Sequence, residues 1–199
     1  MLKDKIGYIR ITTFDENTAD NFKAALDDLK TSGMKGLIID LRDNPGGLLS
    51  TSTQIADMLL GKGTIVYTID AEGTREDITS DNKKLDVPLA LLVNGGSASA
   101  SEILSGAVRD FDAGTLIGTK TFGKGLVQTI LDLKDGTALK VTSARYYTPS
   151  EECIQGIGIT PDMVIELNEE QQKKYDNGKL DYYEDPQMLK AIETIKSKL

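Results

Sequence analysis

Residues 88–114, PLALLVNGGSASASEILSGAVRDFDAG, decide the fold. PLALLVN at 88–94 is a short unbroken apolar run, the pattern of a strand covered on both faces. GGSASAS turns the chain through small residues, and the helix that follows ends near Asp112–Gly114. The same unit stands upstream. GLIIDL at 36–41 reads as a second buried strand, the loop RDNPGG follows, and a helix is expected over 49–60. Before it, KIGYIRITTF at 5–14 alternates as a strand does. Residues 18–32 place Phe22, Ala25, Leu26 and Leu29 at i, i+3, i+4 and i+7, with Asn17 or Thr18 as cap and Gly33 just beyond.

Further strands are expected at 64–69 and 115–118. The polar stretch Asp70–Asp86 reads as an exposed hairpin or loop, and 126–147 as a hairpin turning at Lys134-Asp135-Gly136. From Asn168 the chain is charged. A last helix begins at Asp185-Pro186, a good cap and first-turn pair, with Leu189, Ile192 and Ile195 as its apolar side. Strand–helix alternation through residue 118 predicts an α/β fold with a largely parallel central sheet. The expected organisation is a core over 1–166 and a charged segment with a helix over 167–199, in the same domain or as a small appendage.

Composition narrows the chemistry. There are 199 residues and no histidine, which excludes Ser-His-Asp and Cys-His catalysis. Cys153 is the one cysteine, so no intramolecular disulfide can form and a zinc site is not expected. The net charge is −8 without a basic stretch, which argues against nucleic acid as a partner. No run reaches the roughly 18 apolar residues of a membrane span, and no export signal opens the chain. A hydrolase built from these residues needs Lys, Asp or Glu as its base.

Three segments can carry chemistry. In NGGSASASEI, 94–103, a serine at a strand–helix junction sits beside free helix N–H groups, which suits a nucleophile whose attack creates an oxyanion. The plain alternative is an N-cap, Ser99 or Ser101, with Glu102 in the first turn. DLRDNPGG, 40–47, also follows a buried strand, where open α/β sheets place their sites. Its paired glycines can present N–H groups to an anion, or simply make a turn. In TFGKGLVQ, 121–128, a lysine stands between two glycines in an apolar setting. If buried, it can serve as a neutral base, with Gln128 accepting from its amine; the alternative is an exposed loop-tip lysine. Gly118 to Lys124 also satisfies G-x-x-x-x-G-K. Gly125 then stands where a phosphate loop has Ser or Thr, and a hairpin follows instead of a helix, so a nucleotide site is not expected.

Together with GIGITPD at 156–162, these segments resemble in order and spacing the C-terminal processing, or tail-specific, serine protease family, over about residues 5–166. The resemblance implies the α/β superhelix shared with Clp proteases and crotonases. It implies a serine endopeptidase with Ser99 as nucleophile, Lys124 as general base, Gln128 as the lysine's partner, and an oxyanion hole from the amides of Ala100 and Gly46. Asp110 matches an acidic position implicated in some members and is read here as a structural ion-pair partner. No metal and no cofactor are implied. The expected partners are protein or peptide substrates with unstructured C-termini, with no nucleic acid, and a homo-oligomer is compatible. Members are exported, so an extracytoplasmic location is expected, together with a bacterial source and with membrane association only through segments absent here. Members also carry a PDZ domain before this core, and nothing before Lys5 can be one. Two rivals stand beside this reading: an inactive protease-like binding scaffold, and an acyl-transfer enzyme of crotonase type, which shares the oxyanion layout without the Ser–Lys pair.

Overall fold

The computed structural model describes residues 1–81 and 84–199. Five strands form a parallel sheet in the order β1 (Ile6–Arg10), β2 (Gly36–Asp40), β5 (Leu89–Val93), β6 (Thr115–Gly118) and β9 (Met163–Val164). The period of two in a strand explains the unbroken apolar runs. Leu37 and Ile39 of β2, Leu89, Leu91 and Val93 of β5, and Leu116 of β6 enter one core. It is closed by α1 (Thr18–Thr31), α2 (Leu49–Leu59) and α3 (Ala100–Asp110). Ile38, Ala90, Leu92 and Ile117 point the other way, to a second core closed by α5 (Pro186–Lys196). Both faces are covered, as a parallel sheet requires.

Outside this sheet, β3 (Gly63–Asp70), β4 (Arg75–Ser80), β7 (Leu126–Asp132) and β8 (Ala138–Tyr147) form an antiparallel sheet in the order β4-β3-β8-β7. The strand expected at 64–69 therefore leaves the α/β layering. Of the stretch 70–86, residues 75–80 form β4, which pairs back on β3, so the hairpin turns at 71–74 and draws its first strand from 63–70 instead of lying within the stretch; Asn82 and Lys83, which the reading also covered, lie outside the described residues. The hairpin at 126–147 turns where expected, with Leu133 N–H donating to Thr137 C=O at 2.8 Å and Gly136 at φ +82°.

Three expectations change in detail. The first strand stops at Arg10; beyond it only Phe14 pairs, as an isolated bridge with Gly47. A short helix, α4 (Glu169–Asp176), occupies the charged tail, capped by Asn168, whose side chain accepts from Gln171 N–H at 2.9 Å. In α5 the buried face is Met188, Ala191 and Ile195, while Leu189 is 44% exposed. Asp185 caps α5 as expected, accepting from Gln187 N–H at 2.9 Å. Its other oxygen takes Arg42 at 2.6 Å. Arg42 is buried and also grips Asp40 through Nε at 2.9 Å and Nη2 at 2.7 Å. The C-terminal helix is thus fastened to β2 by a fully hydrogen-bonded ion network, the arrangement a buried guanidinium needs. Among the described residues, no helix is long and apolar enough to cross a membrane.

Candidate active site

Adjacent parallel strands β2, β5 and β6 end on one edge, so the loops at 41–48, 94–99 and 119–125 emerge side by side. These are the loops that hold the three chemistry-bearing segments. They are stitched together by buried polar groups. Asn44, fully buried, donates from Nδ2 to Ile11 C=O at 2.8 Å and accepts Gly46 N–H at 2.8 Å on Oδ1. Its carbonyl accepts Ala98 N–H at 3.0 Å and the Ser101 hydroxyl at 2.9 Å. The Ser97 hydroxyl donates to Leu41 C=O at 2.8 Å. Ser97 and Ser101 are both fully buried, so two of the three serines are structural.

Ser99 differs. It stands at the N-cap of α3 with φ +56° and ψ −115°, a strained conformation for a residue with a Cβ. It is half-exposed and lines a cleft of about 340 Å³ together with Gly47, Ala100, Lys124, Gln128 and Tyr146. The N-cap reading of this position is therefore right about place: Glu102, three residues on, accepts from Ser99 N–H at 2.9 Å, as in a capping box.

Glu102 does more than cap. It is fully buried, and its carboxylate takes four hydrogen bonds. Oε2 accepts the N–H groups of Ser99 and Lys124, both at 2.9 Å. Oε1 accepts the Thr121 hydroxyl at 2.6 Å and Gly123 N–H at 2.8 Å. The loop before β7 thus wraps around a carboxylate, which leaves the N–H groups of Gly123 and Lys124 unable to cradle a phosphate. Lys124 is half-buried, with no ion pair among the described residues. Gln128 is exposed on β7 beside a register shift. The structure brings Ser99, Lys124 and Gln128 to one cleft, and no hydrogen bond among the described residues joins their side chains.

The glycine pair divides by the direction of its amides. Gly46 lies against the Ser99 turn: a Cβ there would come within 2.7 Å of Ala98 O and 2.8 Å of Ser99 Cβ, and its φ is +102°. Its N–H is engaged by Asn44. At Gly47, flanking groups bond to Phe14: Phe14 N–H donates to Gly46 C=O at 3.0 Å, and Leu48 N–H to Phe14 C=O at 2.7 Å. Parallel bridging of this kind turns Gly47's own N–H away from Phe14, and Gly47 lines the cleft. Ala100 N–H, in the first turn of α3, has no partner among the described residues and also borders the cleft.

Asp110 pairs with Arg109 at 2.9 Å and accepts Ser150 N–H at 2.8 Å; Arg109 also binds Glu152 at 2.6 Å. Burial opposes its ionisation, but hydrogen bonds from Ser150 and Thr148, with Arg109, outweigh that and hold its carboxyl below the usual range. A second cavity of about 380 Å³, between Tyr8, Tyr175 and Tyr182, has no Ser, Thr or Cys in its walls.

Glu102 and Asn44 were legible only as a first-turn acid and a turn residue. Tyr146 carried no sequence signal at all. It is 2% exposed, and its hydroxyl reaches Ser99 C=O at 3.2 Å and also Lys124 C=O.

Comparison with known proteins places this geometry in a family. The model of peptidase family S41 matches residues 5–165. The carboxyl-terminal-processing protease of Synechocystis is 48% identical over 162 residues, covering 81% of this chain and 38% of the relative. The carboxy-terminal-processing protease of Bartonella bacilliformis is 46% identical over 181 residues, covering 86% of this chain and 41% of the relative. The structure of the photosystem II D1 C-terminal processing protease superposes with a TM-score of 0.78 at 38% identity, over 92% of this chain and 47% of that one. The chain thus spans about two fifths of the length of these curated relatives. With an α/β fold in common and its three active-edge loops inside the matched region, the chain belongs to peptidase family S41.

Proposed function

We propose that this chain is the catalytic core of a Ser–Lys serine endopeptidase that cleaves polypeptides near unstructured C-termini. One observation carries the reading: of three neighbouring serines, Ser97 and Ser101 are buried and bonded to backbone, while Ser99 alone faces the cleft it shares with Lys124.

In this mechanism the neutral Lys124 amine takes the Ser99 proton as the oxygen attacks the scissile carbonyl. The ammonium then protonates the leaving amine, and water, activated by the same lysine, resolves the acyl-enzyme. Gln128 orients the amine as substrate fills the cleft. The tetrahedral oxyanion is held by Ala100 N–H and by a glycine amide. Gly47 suits that role better than Gly46, whose N–H is already given to Asn44. A positioned base supplies about 10²–10⁴-fold, and each oxyanion donor roughly 10²–10³-fold. The likeness to C-terminal processing proteases also supports protein substrates and an extracytoplasmic site of action.

The test is hydrolysis of a flexible peptide by Ser99→Ala. Cleavage should vanish while the thermal midpoint stays near that of the parent. Substantial residual cleavage would move the nucleophile elsewhere.

A further inference from the structure

Lys124 is flanked by Gly123 and Gly125, and Gly123 sits at φ +91°. Such a segment has little stiffness of its own. The Lys124 side chain makes no ion pair among the described residues that would steady it. Where the amine lies therefore depends on what holds the Lys124 peptide. On the N–H side the holder is Glu102, whose single oxygen Oε2 takes both Ser99 and Lys124 at 2.9 Å. On the carbonyl side it is Tyr146.

The Tyr146 hydroxyl lies against the carbonyls of the same two residues. It has one proton to give. Ser99 C=O already accepts Glu102 N–H at 2.8 Å and Ile103 N–H at 3.0 Å, which belong to the first turn of α3. Lys124 C=O has no other donor among the described residues, so it is the carbonyl that depends on Tyr146. The backbone of Tyr146 adds a second tie, its N–H donating to Gly125 C=O at 3.1 Å. The ring is anchored in the larger core, and β8 is fixed by pairing with β3. Burial, reinforced by the charge of Glu102, raises the Tyr146 pKa far beyond its ordinary range, so the phenol remains a donor at every working pH.

We propose that Tyr146 is a positioning residue of the peptidase reaction: its hydroxyl ties the peptide of the base Lys124 to that of the nucleophile Ser99. This rests on the Ser99–Lys124 reading. Glu102 clamps the N–H groups of the pair and Tyr146 the carbonyl side, so the distance between the two side chains is set by two buried groups acting on the backbone.

The test is Tyr146→Phe, which keeps the buried ring and deletes the hydroxyl. A misplacement of about 1 Å can cost about 10²-fold, so kcat should fall roughly 10- to 100-fold with KM within about twofold, at a temperature well below every variant's midpoint. Ser80→Ala is the control: that hydroxyl is also buried and donates to Leu60 C=O at 3.2 Å, outside the cleft. It should lower the midpoint and leave kcat intact. Placing 3-fluorotyrosine at 146 retains a protonated hydroxyl and should restore kcat. Wild-type kcat in Tyr146→Phe overturns the proposal. So does a kcat loss that Ser80→Ala reproduces at equal loss of midpoint, or a Tyr146→Phe chain that does not fold, since the hydroxyl would then be a folding element. Ser99→Ala run alongside separates the two levels: cleavage by that variant refutes the dyad reading whatever Tyr146 does.

Discussion

Glu102→Gln is the substitution whose cost the structure defines best. The carboxylate accepts four hydrogen bonds, two on each oxygen. An amide keeps one oxygen and sets an NH₂ where the other stood. If the NH₂ faces Ser99 and Lys124, two backbone donors lose their acceptor. If it faces Thr121 and Gly123, Gly123 N–H is orphaned, while the Thr121 hydroxyl turns to accept from the amide, a new bond that offsets the loss of its own proton's acceptor Oε1. Thr121 Oγ1 already accepts Ile159 N–H at 2.7 Å, and its second lone pair remains for the amide. The second orientation therefore wins. An orphaned buried N–H costs about 1–3 kcal/mol, and loss of charge assistance on the surviving bonds adds roughly 1 kcal/mol. At about 2–4 °C per kcal/mol for a chain of this size, the midpoint should drop by roughly 4–16 °C. The bonds to Ser99 and Lys124 survive, so kcat measured well below the midpoint should fall less than in Glu102→Ala, where all four donors are stranded. Thermal unfolding followed by circular dichroism, with peptide hydrolysis at a fixed low temperature, reads both effects. A Glu102→Gln variant with an unchanged midpoint would refute the four-bond account of this carboxylate.

Lys124→Arg should be as inactive in peptide hydrolysis as Lys124→Ala, because a guanidinium keeps the charge yet cannot deprotonate in a protein; retained activity would make the lysine an electrostatic stabiliser instead of a base. Asp110 is held below the ordinary carboxylate range, so its contribution to stability is present above the unfolded-state pKa, about 3.9, and is lost as pH falls through its lower folded value. Asp110→Asn should accordingly be less stable than the parent in urea unfolding at pH 7, with the gap closing below about pH 3; a gap independent of pH would show that the charge plays no part.

The layered fold was legible because local pattern and burial agree. GLIIDL and PLALLV are apolar at the core-facing positions except Asp40, which is buried against Arg42, and the structure covers both faces of those strands. The three active-edge loops were legible for the same reason: each follows a buried parallel strand. What local pattern does not encode is which strand joins which sheet. TIVYTI reads as one more strand of the alternation, yet its partners, 75–80 and 144–147, put it in a separate antiparallel sheet. In α5, Leu189 matched the helical period as well as Met188 did; the choice of face depends on where Ile38 and Leu92 lie beneath it. The short helix at 169–176 lacks an apolar stripe, and its one signal was Asn168 three residues before Gln171. In the site, residue types were legible and directions were not. Whether Gly46 or Gly47 points its N–H into the cleft is set by Asn44 and Phe14, and the grip of Tyr146 on Lys124 spans 22 residues of chain.

The central claim is that Ser99 is the nucleophile and Lys124 its base. Labelling with a fluorophosphonate, read by intact mass and by peptide mapping, tests it most directly. The parent should gain one adduct, on Ser99, while Ser99→Ala and Lys124→Arg gain none over the same interval. An adduct on Ser97 or Ser101, or equal labelling of Lys124→Arg, would contradict it.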